Sequence, residues 1–316
     1  METGLLMVSF VIPCYRSEKT IENVVKEIDE TMVGKDYEII LVNDSSPDNT
    51  FSVIESLCKS HDNITGVNLN QNYGQHAALM AGFHYVSGDI VVCLDDDGQT
   101  PANEANKLID ALDDNVDVAY AKYDHKKHSA FRNLGSRVNE LMLRFILSKP
   151  KDLFISSYFA VKRFIVDEMI KYTNPYPYVI GLVLRSTNKI VNVPVNHRAR
   201  TTGESGYTLG KLINLWLNGF TAFSIKPLRI ATGVGGIMAL GSFIYGIVTI
   251  IMKIAGINEV LGFSAIIATI TFLSGVNLVM LGMIGEYIGR IYISLNQSPQ
   301  YIVREVKGKK GTDEKN

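Results

Sequence analysis

The sequence predicts an α/β fold: a mostly parallel sheet domain, then interfacial amphipathic helices, then two transmembrane helices. Three observations predict it. Strand-like and helix-like segments alternate through the first third of the chain, polar clusters stand where those strands end, and long uncharged runs fill the last third.

The strands come first. Residues 8–12 are an apolar run ending at Pro13, residues 22–32 read as helix, and residues 37–42 form a second strand ending at Asn43 and Asp44. A Ser/Pro/Asp turn opens a helix over 47–60, and residues 64–69 supply a third strand. Residues 76–86 are helical. After a turn at Gly88-Asp89, residues 90–94 are apolar throughout, the pattern of a strand buried on both faces. Alternation of this kind builds βαβ units around a parallel sheet, and such sheets bind ligands beyond the carboxyl ends of their strands. The polar clusters stand there: Tyr15-Arg16-Ser17-Glu18, Asp44-Ser45-Ser46 and Asp95-Asp96-Asp97.

Farther on, no charged residue occurs between Ile230 and Met252, nor between Val260 and Gly285. Each run exceeds the roughly 20 residues that cross a hydrocarbon layer. Two spans joined by a turn at 253–259 fit better than two buried core helices. Gly233, Gly236, Gly241, Gly246, Gly275, Gly282, Gly285 and Gly289 give them small packing surfaces. Lys226 and Arg229 precede the pair, Arg290, Arg304, Lys307, Lys309 and Lys310 follow it, and the turn offers Lys253, so both termini are expected in the cytoplasm. The N-terminus has no basic region and no long apolar stretch, so no signal peptide is expected. Between 207 and 226, Leu209, Leu212, Ile213, Trp216, Leu217, Phe220 and Phe223 recur at helical spacing, as in a helix lying in the membrane interface; a core-facing helix is the alternative. Residues 300–306 allow a short strand, and 307–316 read as a solvated end. The division is a cytosolic domain over 1–200, an interfacial segment over 201–228, the two spans over 229–286, and a cytosolic tail over 287–316.

Composition narrows the chemistry. In 316 residues, 31 Lys+Arg face 32 Asp+Glu, a net charge of -1 that excludes the polybasic footprint of a nucleic-acid binder. Cys14, Cys58 and Cys93 lack metal-like spacing and read as buried free thiols of a reducing compartment. Phosphate-binding GxxxxGK[ST], nucleophilic GxSxG, HExxH and CxxC motifs are all missing.

Three successive carboxylates repel one another unless a cation is near. On an extended backbone Asp95 and Asp97 project to the same side and can share one hard divalent ion, Mg²⁺ or Mn²⁺, alongside substrate phosphates. Asp44 fits either a turn-capping role or an acceptor for a nucleotide base or ribose. Gly74 precedes a helix whose N-terminal N–H groups could face a diphosphate, while His76 reads more simply as a satisfied histidine. Arg198 and Arg200, in a Gly/Ser/Thr loop before the interfacial segment, suit phosphate oxygens, with plain surface arginines as the alternative. His128, Arg132 and Arg137 form a basic cluster without an assignment.

Taken together, Phe10-Val-Ile-Pro-Cys-Tyr15, Leu41-Val-Asn-Asp44-Ser-Ser-Pro-Asp48-Asn-Thr50, Asn70-x-x-x-Gly74 and Leu94-Asp-Asp-Asp-Gly-Gln99-Thr-Pro101 resemble the family 2 glycosyltransferases of GT-A (Rossmann-like) fold. Within that family, Arg200-x-x-Gly203-Glu204-Ser205, Pro227-Leu228-Arg229 and Gly285-Glu286-Tyr287-Ile288-Gly289-Arg290-Ile291-Tyr292 resemble the polyprenyl-phosphate glycosyltransferases. Dolichol-phosphate mannose synthases share the N-terminal part. Bacterial undecaprenyl-phosphate sugar transferases are similar from about residue 5 to residue 303. The likeness to the 4-deoxy-4-formamido-L-arabinose transferase type runs through Tyr158-Phe-Ala-Val-Lys-Arg163 and residues 203–229.

The resemblance implies an inverting, metal-dependent transfer of a single sugar from an NDP-sugar, UDP favoured over GDP, to undecaprenyl phosphate at the cytosolic face of the inner membrane. The product would be a lipid-linked monosaccharide for cell-envelope glycan modification. It implies that Pro13, Tyr15, Glu18 and Asp44 hold the nucleoside, that Asp95 and Asp97 carry the metal with Asp96 between them, and that Gln99 lies near the sugar. Arg198, Arg200 and Ser205 would meet the donor diphosphate or the acceptor phosphate. Gly206 stands where such enzymes often carry Lys. Ser156-Ser157-Tyr158-Phe159 stands where many have an Asp-Phe-Arg-Leu-type segment whose Asp is a candidate base. A processive polysaccharide synthase is a rival, but it usually carries Gln-x-x-Arg-Trp, and the single tryptophan here, Trp216, follows Leu215. A membrane-anchored nucleotide-sugar-binding protein without turnover is the other. Small-residue spans and a strand-like tail leave room for a homo-oligomer.

Overall fold

The computed structural model describes residues 6–123, 150, 152–196, 226–255, 262–296 and 298–308. They fall into two compact units, 1–209 with 297–316, and 210–296.

The first unit is built on an eight-stranded sheet in the order β7-β5-β6-β4-β1-β2-β3-β8. Strand β1 spans Val8–Cys14, β2 Tyr37–Asn43, β3 Ile64–Leu69 and β4 Ile90–Cys93; these four run parallel. Each is almost wholly buried; β4 is apolar throughout, while β1, β2 and β3 also bury the polar residues Ser9, Glu38, Asn43, Thr65 and Asn68. Beyond β4 the sheet turns mixed. Strand β5 (Val118–Tyr123) pairs in parallel with β7 (Ile190–Val195), while β6 (Phe159–Lys162) lies antiparallel between β4 and β5. Strand β8 (Val303–Gly308) closes the other edge antiparallel to β3.

Helix α1 (Ile21–Thr31) buries Ile21, Val24, Val25 and Ile28, one stripe at helical spacing, in the same core cluster as Val8, Phe10 and Ile12. Helix α2 (Thr50–Ser60) packs on β3, where a side chain at Gly66 would strike Ile54. Helix α3 (Gln75–Phe83) covers the opposite face and approaches closely because residue 82 has no Cβ: one there would lie 2.5 Å from Val11 Cγ1 and 3.0 Å from Val42 Cγ2. Helices α4 (Ala105–Asp110), α5 (Arg163–Met169) and α6 (Val179–Ser186) complete the layers.

Two boundaries differ from the sequence expectation in an informative way. Pro13 does not end β1, which continues to Cys14. Val11 C=O accepts Leu94 N–H, so Val11 and the residue two further on face the β4 side, where pairing stops at Val11↔Cys93. The missing N–H of Pro13 therefore falls where no partner strand needs it. Helix α2 starts at Thr50 rather than 47, because Ser46, Asp48 and Thr50 bond to one another in the turn before it.

The second unit holds α7 (Lys226–Ile254) and α8 (Phe263–Leu295). Among the described residues one stretch, Phe272–Ile293 of α8, is long and apolar enough to cross a membrane; the apolar stretch of α7, Gly235–Tyr245, is shorter. Their large side chains face outward: Ile237, Phe243, Tyr245, Phe272, Leu278 and Leu281 are all exposed. The interfacial stretch, including Trp216, lies outside the described residues.

Candidate active site

Loops after β1, β2 and β4 converge at the carboxyl end of the sheet. After β1, Tyr15 is exposed, with the Arg16 guanidinium 5.6 Å from its ring centroid. Arg16 has φ 60° and Ser45, after β2, has φ 50°. Left-handed backbone is uncommon in residues other than glycine and concentrates at functional loops. The two loops that carry them are tied together, since Arg16 N–H donates to Oγ of Ser46, the residue after Ser45, at 2.7 Å.

Asp44 is buried and takes two backbone donors, Tyr73 N–H on Oδ1 at 2.7 Å and Gly74 N–H on Oδ2 at 2.8 Å. Burial raises its pKa, and the two N–H bonds work against that rise. Gly74 sits at φ 88°, ψ 162°, a conformation open essentially to glycine alone, which lets both N–H groups turn onto one carboxylate at the start of α3. Asn72 Nδ2 adds a bond to the Asp44 carbonyl at 3.2 Å. Glu18 accepts the backbone N–H of Asn49, just before α2, at 3.1 Å, and Pro13 is the penultimate residue of β1.

The acidic triplet splits by side. Asp96 turns toward β1 and accepts Tyr15 N–H at 2.9 Å. Burial lifts its pKa to about 6; the Tyr15 N–H and the nearby Ser17 hydroxyl pull it down, and the charges of Asp95 and Asp97 push it further up. Asp95 accepts Gln75 Nε2 at 3.0 Å and Ser157 Oγ at 2.5 Å. Asp97 accepts both the backbone N–H of Gln99 at 3.0 Å and its side-chain Nε2 at 2.7 Å. Tyr123, at the end of β5, feels both outer carboxylates: burial first, then Asp95 and Asp97, raise its phenol pKa well above the usual range.

The structure thus gathers Pro13, Tyr15, Glu18, Asp44, Asp95, Asp96, Asp97 and Gln99 at one end of the sheet. Arg198, Arg200 and Ser205, with His128, Arg132 and Arg137, lie outside the described residues. Sequence reasoning missed Gln75 and Tyr123 and saw Ser157 only as a vacancy for a base. The position of Gln75 as the first residue of α3 was the available signal.

Among the described residues no group of three or more His, Cys, Asp or Glu gathers as a metal cage. A pair of carboxylates with an amide oxygen nearby is the oxygen-rich, incomplete donor set suited to a hard divalent ion that completes its shell with phosphate and water. Asp95, Asp97 and Gln99 fit that description.

This arrangement of loops belongs with a match along the same stretch of chain. The family model for glycosyl transferase family 2 covers residues 9–170, from β1 through α5. The chain belongs to glycosyl transferase family 2. A second family model, the GtrB C-terminal hairpin, covers residues 226–291, the two long helices. The undecaprenyl-phosphate 4-deoxy-4-formamido-L-arabinose transferase of Yersinia enterocolitica is 31% identical over 311 residues, 97% of this chain and 95% of that protein. The enzyme of the same name from an Enterobacter species is 31% identical over 316 residues, 98% of this chain and 97% of that protein. Among solved structures, glucosyl-3-phosphoglycerate synthase from Mycobacterium tuberculosis, in complex with Mn²⁺, UDP-glucose and phosphoglyceric acid, superposes with a TM-score of 0.54 at 18% identity, over 69% of this chain and 79% of that one. That likeness carries the GT-A α/β fold. The protein is therefore a glycosyltransferase, similar over nearly its whole length to undecaprenyl-phosphate sugar transferases.

Proposed function

We propose that this glycosyltransferase moves one sugar from an NDP-sugar, UDP favoured, to a polyprenyl phosphate of the undecaprenyl type, with inversion at the anomeric carbon, at the cytosolic face of the membrane. The observation that carries this reading is the acidic triplet at the end of β4, its outer carboxylates held by Gln75, Ser157 and Gln99 beside the Asp44 loop. The near full-length likeness to undecaprenyl-phosphate transferases supports the acceptor.

In this reading Pro13, Tyr15, Glu18 and Asp44 surround the nucleoside. Asp44 keeps acceptor capacity on each oxygen after its two backbone bonds, enough to receive a base N–H or a ribose hydroxyl. Asp95 and Asp97 hold Mg²⁺ or Mn²⁺; bound there, the ion would neutralise charge on the departing diphosphate. Gln99 orients Asp97 and borders the sugar. Arg198, Arg200 and Ser205 contribute further donors to phosphate oxygens.

One bond forms and one breaks. An oxygen of the acceptor phosphate attacks the anomeric carbon as the bond from that carbon to the nucleoside diphosphate opens, and the electron pair leaves with the diphosphate. A phosphate monoester loses its second proton near pH ~6 and is mostly dianionic at neutral pH, so it needs little help from a base. That accounts for Ser157 where a carboxylate base was sought. Both α7 and α8 span the bilayer in this reading, with both termini cytoplasmic, and keep the acceptor's search two-dimensional.

The test is a donor screen. Purified protein, undecaprenyl phosphate and Mg²⁺ or Mn²⁺ are incubated with UDP- and GDP-sugars, and the lipid extract is analysed by mass spectrometry. A lipid carrying one sugar is the expected product. A polymer, or nucleotide-sugar binding without any product across the panel, would refute the assignment.

A further inference from the structure

A ladder of polar side chains crosses the sheet edge behind the Asp44 loop. Asn43, Asn68 and Glu305 are register partners on β2, β3 and β8, although Glu305 lies 237 residues from Asn68 in sequence. Asn43 Nδ2 donates to Asn68 Oδ1 at 2.8 Å, and Asn68 Nδ2 donates to Glu305 Oε1 at 3.1 Å. At the inner end, Asn43 Oδ1 accepts Ser46 N–H at 3.2 Å. Ser46 Oγ in turn receives Arg16 N–H, so the chain of bonds joins the tail strand to both strained loops of the site.

The direction of this chain follows from its outer end. An ionised carboxylate only accepts hydrogen bonds. Lys307, 3.0 Å from Glu305 and 3.2 Å from Glu55 of α2, keeps Glu305 ionised; hydrogen bonds from Lys307 and Asn68 lower its pKa. Asn68 must then turn its NH₂ outward and its oxygen inward. Asn43 must meet that oxygen with its own NH₂, which leaves its oxygen for Ser46 N–H. Both amides are buried, at 3% and 8% exposure, so neither has bulk water as an easy substitute partner.

We infer that Glu305, on the strand that follows the long helices, is a positioning residue for the donor site: it sets the orientation of the Asn68 and Asn43 amides and so fixes the Asp44-Ser45-Ser46 loop against which the nucleotide binds. This rests on the donor-site reading given above. It also gives β8 a role beyond covering the edge of β3.

The test uses the full chain in lipid nanodiscs, with Glu305→Gln and Glu305→Leu. Both substitutions remove the ion pair with Lys307, but only the glutamine keeps an acceptor for Asn68. Three quantities are measured: amide hydrogen exchange over residues 43–48, UDP and GDP affinity by calorimetry, and the donor KM with kcat. The inference expects Glu305→Leu to speed exchange over 43–48. Nucleotide binding should weaken and donor KM rise roughly 3- to 10-fold, the size of one lost part-buried hydrogen bond, with kcat within about 2-fold. Glu305→Gln should stay within about 2-fold of the parent in all three. Equal losses in the two variants would assign the effect to the ion pair and overturn the relay. Unchanged exchange over 43–48 in Glu305→Leu would overturn it as well. A parent chain that binds neither UDP nor GDP would instead refute the donor-site reading, and the exchange measurement would still decide the relay.

Discussion

Gly82 lies at the far end of α3 from the chemistry, yet its replacement by alanine should reach the active site. The new Cβ would sit 2.5 Å from Val11 Cγ1, 3.0 Å from Val42 Cγ2 and 3.6 Å from Ile40 Cγ2. Carbon atoms rest at roughly 3.5–4.0 Å, so helix and sheet must part by about 1 Å. Neither valine can yield cheaply, because both are fully buried on central strands and β-branched at χ1. Overpacking costs about 1–3 kcal/mol in general, and a 2.5 Å contact against rigid neighbours belongs in the upper part of that range, about 2–3 kcal/mol. Alanine's better helix propensity offsets about 1 kcal/mol of that. The net loss is about 1–2 kcal/mol, a Tm lower by roughly 2–8 °C for a unit of this size.

The same shift acts at the other end of the helix. Gln75 reaches Asp95 at 3.0 Å and Gly74 reaches Asp44 at 2.8 Å, so a displacement of about 1 Å breaks or badly stretches both bonds. Transfer activity measured well below the new Tm should therefore fall together with stability. Thermal unfolding followed by circular dichroism, with initial rates on the donor found in the screen, measures both. An alanine variant with an unchanged or raised Tm would refute the packing argument. A lowered Tm with unchanged kcat and donor KM would refute the claim that α3 positions the acidic triplet.

Replacing Asp97 with alanine should abolish lipid-linked sugar formation while the protein stays folded in the membrane fraction; full activity of that variant with divalent ions chelated would remove Asp97 from the metal site. Asp44→Asn should cost about 1–3 kcal/mol, since the amide accepts one of the two N–H groups and points hydrogens at the other; chemical denaturation would detect it, and no loss would mean the loop carries the two N–H groups some other way. His76 stacks edge-on against Tyr178 with its Nδ1 shut from solvent and unpartnered, and burial lowers its pKa to about 4. Its folded pKa lies below the ordinary 6.5, so the unfolded chain binds the extra proton between those values, and stability falls as pH drops from about 6.5 toward 4. At pH 5 this amounts to at most about 2 kcal/mol, and His76→Gln should flatten the drop in Tm between pH 7 and 5 accordingly; an identical drop in both proteins would locate the acid sensitivity elsewhere.

Much of the parallel half of the sheet was legible because its strands are buried on both faces, which writes them as predominantly apolar runs bounded by polar turns, uninterrupted in β4 and broken by single polar residues in β1, β2 and β3. The clusters at their carboxyl ends were legible for the same reason: charge immediately after a buried strand has few places to go. Strand β6 was not, since Phe159–Lys162 is only four residues long and its partners β4 and β5 precede it in sequence with other elements between. Ser157 carried no local signal and Gln75 carried only its place at the start of α3, because a neutral donor becomes informative only when a carboxylate faces it, and Asp95 is 20 residues from Gln75 and 62 from Ser157. Glu305 is the extreme case. It falls in the stretch 300–306 that allows a short strand, but nothing local names that strand's partner, and only the antiparallel addition of β8 brings it beside Asn68.

The bonds on the acidic triplet also explain how one strand end can serve opposite demands. Amide and hydroxyl donors orient a carboxylate without bringing a counter-charge, and Gln75, Ser157 and Gln99 hold Asp95 and Asp97 in this way. Asp96 is handled differently. Turned onto the Tyr15 N–H and half-buried, with its pKa lifted to about 6, it braces the end of β1 against the end of β4. The triplet follows β4 through a turn that holds Asp96 and Asp97, so the division is set by partners rather than by a strand period: the first and third residues bond Gln75, Ser157 and Gln99, and the middle one bonds the Tyr15 N–H. A triplet in this position thus supplies a pair of outward carboxylates and an internal strut, and replacing the strut should disturb the loop at Tyr15 more than the chemistry at Asp95 and Asp97.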